Sequence, residues 1–291
     1  MSMKIKESEL IVNPDGSIYH LHLTPEELAD NVLLVGDPGR VPVVSKHFDT
    51  VEVRRENREI HSHTGTLRGK RFTVISTGMG PDNIDIVLNE LDALKNIDLK
   101  TREIKEKKTS LNIVRIGTSG SLQQDIPVDS FVVARRAIGF DGVLHFYKSQ
   151  DVRRIDIEDA FIEQSHWNPL AARPYVVDGS QELFEKISGP QTVEGFTATA
   201  VGFYGPQGRE LRIPLANPEA NDMREKFAYK GLRLTNYEME TSAIYGLSAL
   251  LGHKACSTNC IVAARTAGVF SADAHAAVEK LIVYVLGRLT A

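Results

Sequence analysis

Three glycine-bearing segments invite a chemical reading: Gly36-Asp-Pro-Gly39, Gly78-Met-Gly80 and Gly117-Thr-Ser-Gly120, with Arg40 just after the first and Arg115 just before the third. Glycines let backbone amides approach an anion closely, and a guanidinium fork matches phosphate oxygens in pairs. Together they suggest a small phosphate site, although tight turns with surface arginines would account for the same residues. A further segment, Phe203-Tyr-Gly-Pro-Gln207-Gly-Arg209, combines an aromatic face, an amide that both donates and accepts, and a guanidinium. That set suits a flat heterocycle bearing carbonyl groups; an exposed Gly-Pro turn is the plainer alternative. In Asn236-Tyr-Glu238-Met-Glu240 two acids open an expected helix. There they either favour the helix dipole or accept hydrogen bonds from a sugar diol.

Other motifs fail. Gly78-Met-Gly80-Pro-Asp-Asn83 begins like a dinucleotide fingerprint but ends in asparagine. There is no Gly-Lys-Ser/Thr run for a P-loop, and Gly117-Thr-Ser119-Gly120 lacks nucleophile-elbow spacing. His20-Leu-His22 and His61-Ser-His63 could each set two imidazoles on one strand face, but without the carboxylates or cysteines of a metal site.

Strands must end at these loops if the loops are to share a ligand. Residues 31–35, 71–77 and 111–116 read as buried strands that run into the three glycine segments. In α/β folds ligands bind beyond the carboxyl ends of strands. Ile84, Val87, Leu88 and Leu91 share one helical face behind an expected N-cap at Asp82. Residues 130–134, 197–201 and 255–264 read as further strands. Residues 238–251, closed by Gly252, read as a helix, as does the last stretch with Val278, Leu281, Ile282, Val285 and Leu289 on one face. The mixed-charge stretch 98–108 reads as a solvated extension of the Ile84 helix and its loop. The alternation implies an α/β fold: one domain over residues 1–291, a mixed central β-sheet flanked by helices.

Composition narrows the function. With 34 basic and 38 acidic residues, the net charge of −4 excludes a broad nucleic-acid surface, which needs a basic surplus. The apolar share of 42% excludes a disordered chain. No run reaches the roughly 18 apolar residues of a membrane span. The start, Met1-Ser-Met-Lys-Ile-Lys-Glu7, lacks a signal-peptide core, so no membrane partner and a cytoplasmic location are expected. Cys256 and Cys260 cannot make a disulfide framework and are expected as small buried thiols.

Taken in order, Gly36-Asp-Pro-Gly-Arg40, Arg58-Glu59, Ser76-Thr-Gly-Met-Gly80, Arg115-Ile-Gly-Thr118-Ser-Gly120, Phe203-Tyr-Gly-Pro-Gln207-Gly-Arg209 and Asn236-Tyr-Glu-Met-Glu240 resemble the nucleoside phosphorylase family that includes uridine phosphorylase. The likeness runs from Tyr19 to the last helix. It implies a nucleoside phosphorylase-like fold and a pentosyltransferase that cleaves uridine, with deoxyuridine and thymidine as further candidate substrates, inorganic phosphate as co-substrate and no required cofactor. The products would be uracil and ribose 1-phosphate, in pyrimidine salvage. Gly36, Arg40, Arg115 and Thr118 match phosphate-binding positions, and Arg58 matches an arginine that reaches the phosphate from a neighbouring subunit. His20 matches a histidine presented to the ribose by that neighbour; Thr118, Met239 and Glu240 match ribose contacts. Phe203, Gln207, Arg209, Gly120 and Arg265 match base contacts. In this reading Arg209, Gln207, Glu240 and Arg115 carry the catalysis, and the shared site implies a homo-oligomer, dimer or hexamer.

The sequence also departs from that family. Pro81-Asp82-Asn83 replaces a Gly-Pro-Ser-like continuation, and Ala264 stands where asparagine often precedes the arginine. Glu59 matches one member of a monovalent-cation site, which leaves potassium open, and Asn83 falls where serine is usual at another. Residues 1–18 read as an N-terminal extension, 98–108 as an insertion, and 140–175 match poorly. The alternatives are a purine nucleoside phosphorylase, a hydrolytic nucleosidase and a non-catalytic nucleoside-binding protein. The phosphate arginines argue against the hydrolase. Val262-Ala-Ala-Arg265 lacks the Ser-Asp pair of purine-specific relatives, and the survival of both contact sets argues against a mere binder.

Overall fold

The structure, a computed structural model, describes residues 4–291; Met1 to Met3, the first residues of the expected extension, lie outside the described residues. In chain order the elements are β1 (Asn31–Val35), α1 (Arg40–Ser45), β2 (Thr50–Asn57), β3 (Ile60–Leu67), β4 (Lys70–Ser76) and α2 (Pro81–Asn96). A short pair, β5 (Ile97–Asp98) and β6 (Glu103–Ile104), precedes β7 (Asn112–Ser121) and β8 (Phe131–Gly139). There follow α3 (Ile155–Ser165), β9 (Tyr175–Asp178), α4 (Gln181–Ile187), β10 (Thr192–Thr199) and α5 (Ala220–Lys226). The chain ends with β11 (Asn236–Glu238), α6 (Thr241–Leu251), β12 (Lys254–Ala264), β13 (Val269–Phe270) and α7 (Ala274–Thr290).

Eleven strands form one mixed sheet in the order β13-β12-β8-β10-β11-β7-β1-β4-β3-β2, with β9 beside β8. β12 also pairs in parallel with the whole of β7, so β7, β12, β8, β10 and β11 close into a ring. The first half of β7 is held between β1 and β12, and its last residues between β11 and β12. Helices cover both faces because the strands alternate. Val32 and Leu34 of β1 face a core that includes Ile84, Val87, Leu88 and Leu91 of α2. Leu33 and Val35 face one that includes Leu281, Ile282 and Val285 of α7. The helical faces expected from the apolar spacing are thus the buried ones.

Several expected boundaries move. Gly117-Thr-Ser-Gly120 is not a loop after a strand but the second half of β7, paired with Asn259 to Ala263. Gly117, which suggests a turn, is here needed for the close approach of Arg115. Asp82 is not the N-cap of α2; Gly80 is, at φ 103°, and Asp82 lies in the first turn. The expected helix 238–251 starts at Thr241, because Asn236–Glu238 pairs with β10 as β11. The charged stretch is not a helical extension: α2 stops at Asn96, and β5 and β6 pair Ile97 with Ile104. The N-terminal segment docks there through the Ile5 amide, which donates to the Arg102 carbonyl (2.9 Å). His20 and His22 do not share a strand face; His22 is left-handed at φ 50°.

Beyond β8, Asp141 ties three elements together. Its carboxylate accepts from the Tyr175 hydroxyl (2.7 and 2.8 Å), the Ser242 hydroxyl (3.0 Å) and the Val143 amide (2.9 Å). Gly139 makes room, since a Cβ there would lie 2.4 Å from Tyr175 Cζ. Burial pushes the Asp141 carboxyl above its ordinary value of 3.8, and these hydrogen bonds only partly offset the rise. The folded protein therefore keeps a proton that the unfolded chain releases, and this group's contribution to stability falls as pH rises from 3.8 through the raised value. Asp141→Asn removes that loss. Urea unfolding from pH 3 to 7 should show the variant gaining on the wild type as pH rises; a constant difference would contradict the assignment.

Candidate active site

The loops after β1 and β4, the end of β7, the β11–α6 junction and the turn at residues 203–209 enclose a cavity of about 530 Å³. Gly36, Arg40, Arg115, Thr118, Gly120, Phe203, Gln207, Arg209, Met239 and Glu240 all line it.

Its anchor is Arg115, buried on β7. The guanidinium donates to Asn259 Oδ1 (2.7 Å) and to the Glu240 carboxylate, with Glu238 Oε2 at 3.4 Å. Burial opposes its charge, but Glu240 and Glu238 outweigh burial and hold the group above its ordinary value. A Cβ on residue 117 would lie 1.8 Å from Arg115 Nη1, so glycine is required where the guanidinium lies along the strand.

The two acids of the β11–α6 junction take different partners. Glu238 accepts from the amides of Glu240 (2.9 Å) and Thr241 (2.9 and 3.1 Å) and from the Thr199 hydroxyl (2.6 Å). It thereby satisfies the first free amides of α6. Glu240 instead turns to Arg115 and accepts from the Gly80 amide (2.8 Å) at the start of α2. Burial pushes its carboxyl up, Arg115 pulls it back, and Glu238 adds to the rise, leaving it above its ordinary value.

Arg40 stands at the start of α1 and donates weakly to the Ile116 carbonyl (3.4 Å). Burial first, and the charge of Arg115 second, pull its pKa down. Among the described residues no carboxylate forms an ion pair with Arg40, although Asp37 and Glu240 act on it at longer range. A partly desolvated cation beside a second cation favours an anion between them.

The other group of side chains suits a planar polar ring. Arg209 donates to Gln207 Oε1 (2.6 Å) and to the Phe203 carbonyl (2.6 Å), and lies 3.8 Å from the Phe203 ring centre. Burial first and Arg265 second push its pKa down to about 10, so it stays charged at neutral pH. Arg265 does not line the cavity; it sits behind Gly120, with its Cδ 3.6 Å from where a Cβ would be, and 5.9 Å from the Tyr237 ring. The Tyr237 hydroxyl and Arg265 Nη1 are buried and have no hydrogen-bond partner among the described residues. Buried polar atoms are rarely left so, unless a ligand or water completes them.

Two expected residues lie apart. Arg58 is exposed in the turn between β2 and β3 at φ 54°, and His20 meets Glu90 of α2 through Nδ1 (2.5 Å). Neither lines the cavity of its own chain. Glu59 does, but it accepts from Asn83 Nδ2 (3.2 Å). Among the described residues no three His, Cys, Asp or Glu side chains gather as for a metal. His63 instead shares a hydrogen bond with the Ser45 hydroxyl (2.7 Å). Burial pushes Cys256 up to about 12 and Cys260 up to about 11, so both remain protonated and unreactive at neutral pH.

Sequence reasoning missed Tyr237, Asn259 and the Gly80 amide. Tyr237 lay inside a motif already singled out, two residues before Met239. Asn259 carried no signal, because only the β7–β12 register brings it to Arg115.

A desolvated cation pair beside an aromatic-amide-guanidinium recess, on a closed mixed sheet, defines a cleft for an anion and a flat ring. Residues 30–286 match the Phosphorylase superfamily, and the chain belongs to that family, whose enzymes use phosphate as co-substrate; it is an enzyme of the pentosyltransferase class. It is 26% identical over 279 residues to the uridine phosphorylase of Thermococcus kodakarensis, covering 93% of this chain and 86% of the relative. It is 28% identical over 245 residues to the DeoD-type purine nucleoside phosphorylase of Shewanella denitrificans, covering 84% of each. A Trypanosoma brucei nucleoside phosphorylase, described as showing uridine phosphorylase activity, superposes with a TM-score of 0.86 at 34% identity, over 96% of this chain and 99% of that one. A structure from work on two uridine phosphorylases of the oomycete Phytophthora capsici shares the fold, with a TM-score of 0.70 at 20% identity over 99% of both chains. Among the described residues no helix is long and apolar enough to cross a membrane.

The Arg115–Gly117 contact yields a direct test. Gly117→Ala should displace the guanidinium and weaken phosphate binding at least tenfold by calorimetry, with far-UV circular dichroism unchanged. Phosphate affinity equal to that of the wild type would remove Arg115 from the anion site.

Proposed function

We propose that this enzyme cleaves uridine by phosphorolysis, giving uracil and ribose 1-phosphate. The observation that carries the reading is the recess at Gln207: an amide and Arg209 sit together there, with Arg265 behind, and no carboxylate pairs with either arginine among the described residues. A pyrimidine leaves with negative charge on its carbonyl system, and cations stabilise it. A purine is helped to leave by an acid that protonates it, and no acid stands in that recess. Similarity to purine phosphorylases therefore speaks for the shared fold and phosphate chemistry rather than for the base.

In this mechanism Gly36, Arg40, Arg115 and Thr118 hold the phosphate, joined by Arg58 of a neighbouring copy. Glu240 accepts from the ribose 2′ and 3′ hydroxyls, Met239 packs on the sugar, and His20 approaches it from the neighbour. Phosphate attacks the anomeric carbon as the glycosidic bond breaks, and its negative charge stabilises the oxocarbenium-like transition state. The electron pair of that bond leaves with the base, where Gln207 and Arg209 receive the charge. Phe203, half-exposed at the cavity, stacks on the ring. Arg115 fixes the Glu240 carboxylate, so the group that meets the diol is oriented before substrate arrives.

Incubation with uridine, thymidine, cytidine and inosine, with and without phosphate, tests the reading. Uracil and ribose 1-phosphate should appear only with phosphate; phosphate-independent cleavage or a preference for inosine would refute it. Arg209→Ala removes a donor to the leaving base, an effect worth about 2.7–4 kcal/mol, so turnover should fall roughly 10²-fold or more. Because Arg58 and His20 lie outside their own chain's cavity, activity should elute from a sizing column only with an oligomer; an active monomer would overturn the shared site.

A further inference from the structure

Behind the base recess lies a cation that the mechanism above does not use. Arg224, on α5, is 9% exposed, and its guanidinium lies within an aromatic box: 5.1 Å from the Phe140 ring centre, 5.6 Å from Tyr237 and 5.8 Å from Trp167. Among the described residues no carboxylate pairs with it; its Nη1 donates to the Pro206 carbonyl (3.3 Å). A long apolar side chain would fill such a box at a lower desolvation cost. What arginine adds at this position is therefore its charge and its donors.

Both point at base recognition. One turn earlier, Asn221 Nδ2 donates to the carbonyls of Gln207 (3.1 Å) and Gly208 (3.3 Å). One face of α5 thus grips three consecutive carbonyls, those of Pro206, Gln207 and Gly208, in the turn that presents Gln207 and Arg209 to the cavity. Gly208 sits at φ 68°, where a Cβ would lie 2.2 Å from Asn221 Nδ2, so turn and helix face are fitted to each other. The charge of Arg224 also reaches the recess through Tyr237, whose ring it shares with Arg265. Burial pushes the Tyr237 hydroxyl up to about 12, and Arg224 is the first of the cations that pull against that rise.

We propose that Arg224 is a positioning and specificity-determining residue: it locks the Pro206–Gly208 turn and sets a third positive charge behind Tyr237, biasing the site toward bases that leave as anions. The inference rests on the proposed phosphorolysis of a pyrimidine nucleoside. Its signature is dependence on the leaving group. Fluorine at the 5 position makes uracil more acidic, so 5-fluorouridine needs less help from a remote cation than uridine does.

The test compares kcat/KM for uridine and 5-fluorouridine in the wild type, Arg224→Met and Arg224→Lys. Arg224→Met should lose roughly tenfold on uridine, by loss of one cation at long range in a partly desolvated site, and distinctly less on 5-fluorouridine. Arg224→Lys should restore most of the uridine rate. An equal loss on both nucleosides, together with a lowered Tm, would make Arg224 a packing residue and overturn the proposal, as would unchanged rates. Should Arg224→Met not fold, Arg224→Gln against Arg224→Lys supplies the same comparison of neutral with charged. A wild type that cleaves neither nucleoside refutes the phosphorolysis itself, an outcome distinct from a wild type active on both whose variants show no leaving-group effect.

Discussion

The contact between Arg115 and Glu240 organises this molecule. A buried guanidinium and a buried carboxylate each carry a large desolvation cost, and only close pairing with further hydrogen bonds makes their burial tolerable. Asn259 and Glu238 complete the guanidinium, and the Gly80 amide completes the carboxylate. Those groups come from β7, β11, β12 and the starts of α2 and α6. Satisfying one ion pair therefore fixes the relative positions of five elements around the cavity.

Ring closure is what makes that convergence possible. An open sheet would give β7 two neighbours along its whole length. Here β1 accompanies its first half, β11 reaches its end and β12 runs along all of it. The second half of β7 runs on past the end of β1, and Arg40, at the start of α1, lines the cavity there together with Arg115. Glycine at 117 serves this geometry, because it gives way to the Arg115 guanidinium.

Much of this was legible in the residues, and the failures have physical causes. β1 was read with its true limits because the apolar run Val32-Leu-Leu-Val35 ends at a Gly-Asp-Pro-Gly turn. The apolar faces of α2 and α7 were legible because helical spacing is a local signal. β2 was not, because its run Thr-Val-Glu-Val-Arg-Arg-Glu-Asn is largely exposed and polar at the edge of the sheet, where nothing demands an apolar pattern. Gly117 to Gly120 was read as a turn because glycine permits many backbones; that it is strand depends on partners far away in sequence. Ten of the expected site residues line one cavity because the motifs that hold them are dense, whereas Arg265, Arg58 and His20 do not line it. Arg224 and Asn221 could not be read at all. They act through backbone carbonyls, which every residue has, so nothing in the residue types at 206 to 208 announces the grip.

The distribution of acids within the cavity now carries more meaning than the net charge. Glu238 and Glu240 both converge on Arg115, so this cation is already balanced. Arg40 is left as the less compensated cation beside it, which gives an incoming anion a defined place rather than a diffuse field. Around Tyr237 the pattern reverses: Arg209, Arg224 and Arg265 gather with no carboxylate paired to any of them among the described residues. In the proposed reaction, negative charge that develops on the departing ring would be met there by groups that need not move. In the proposed reaction, positive charge grows on the sugar between these two regions, next to Glu240 and the bound phosphate. The cavity thus holds, before substrate arrives, a field that runs in the direction in which the electrons of the breaking bond must travel, and the absence of an acid at the base end is as much a part of that field as the arginines are.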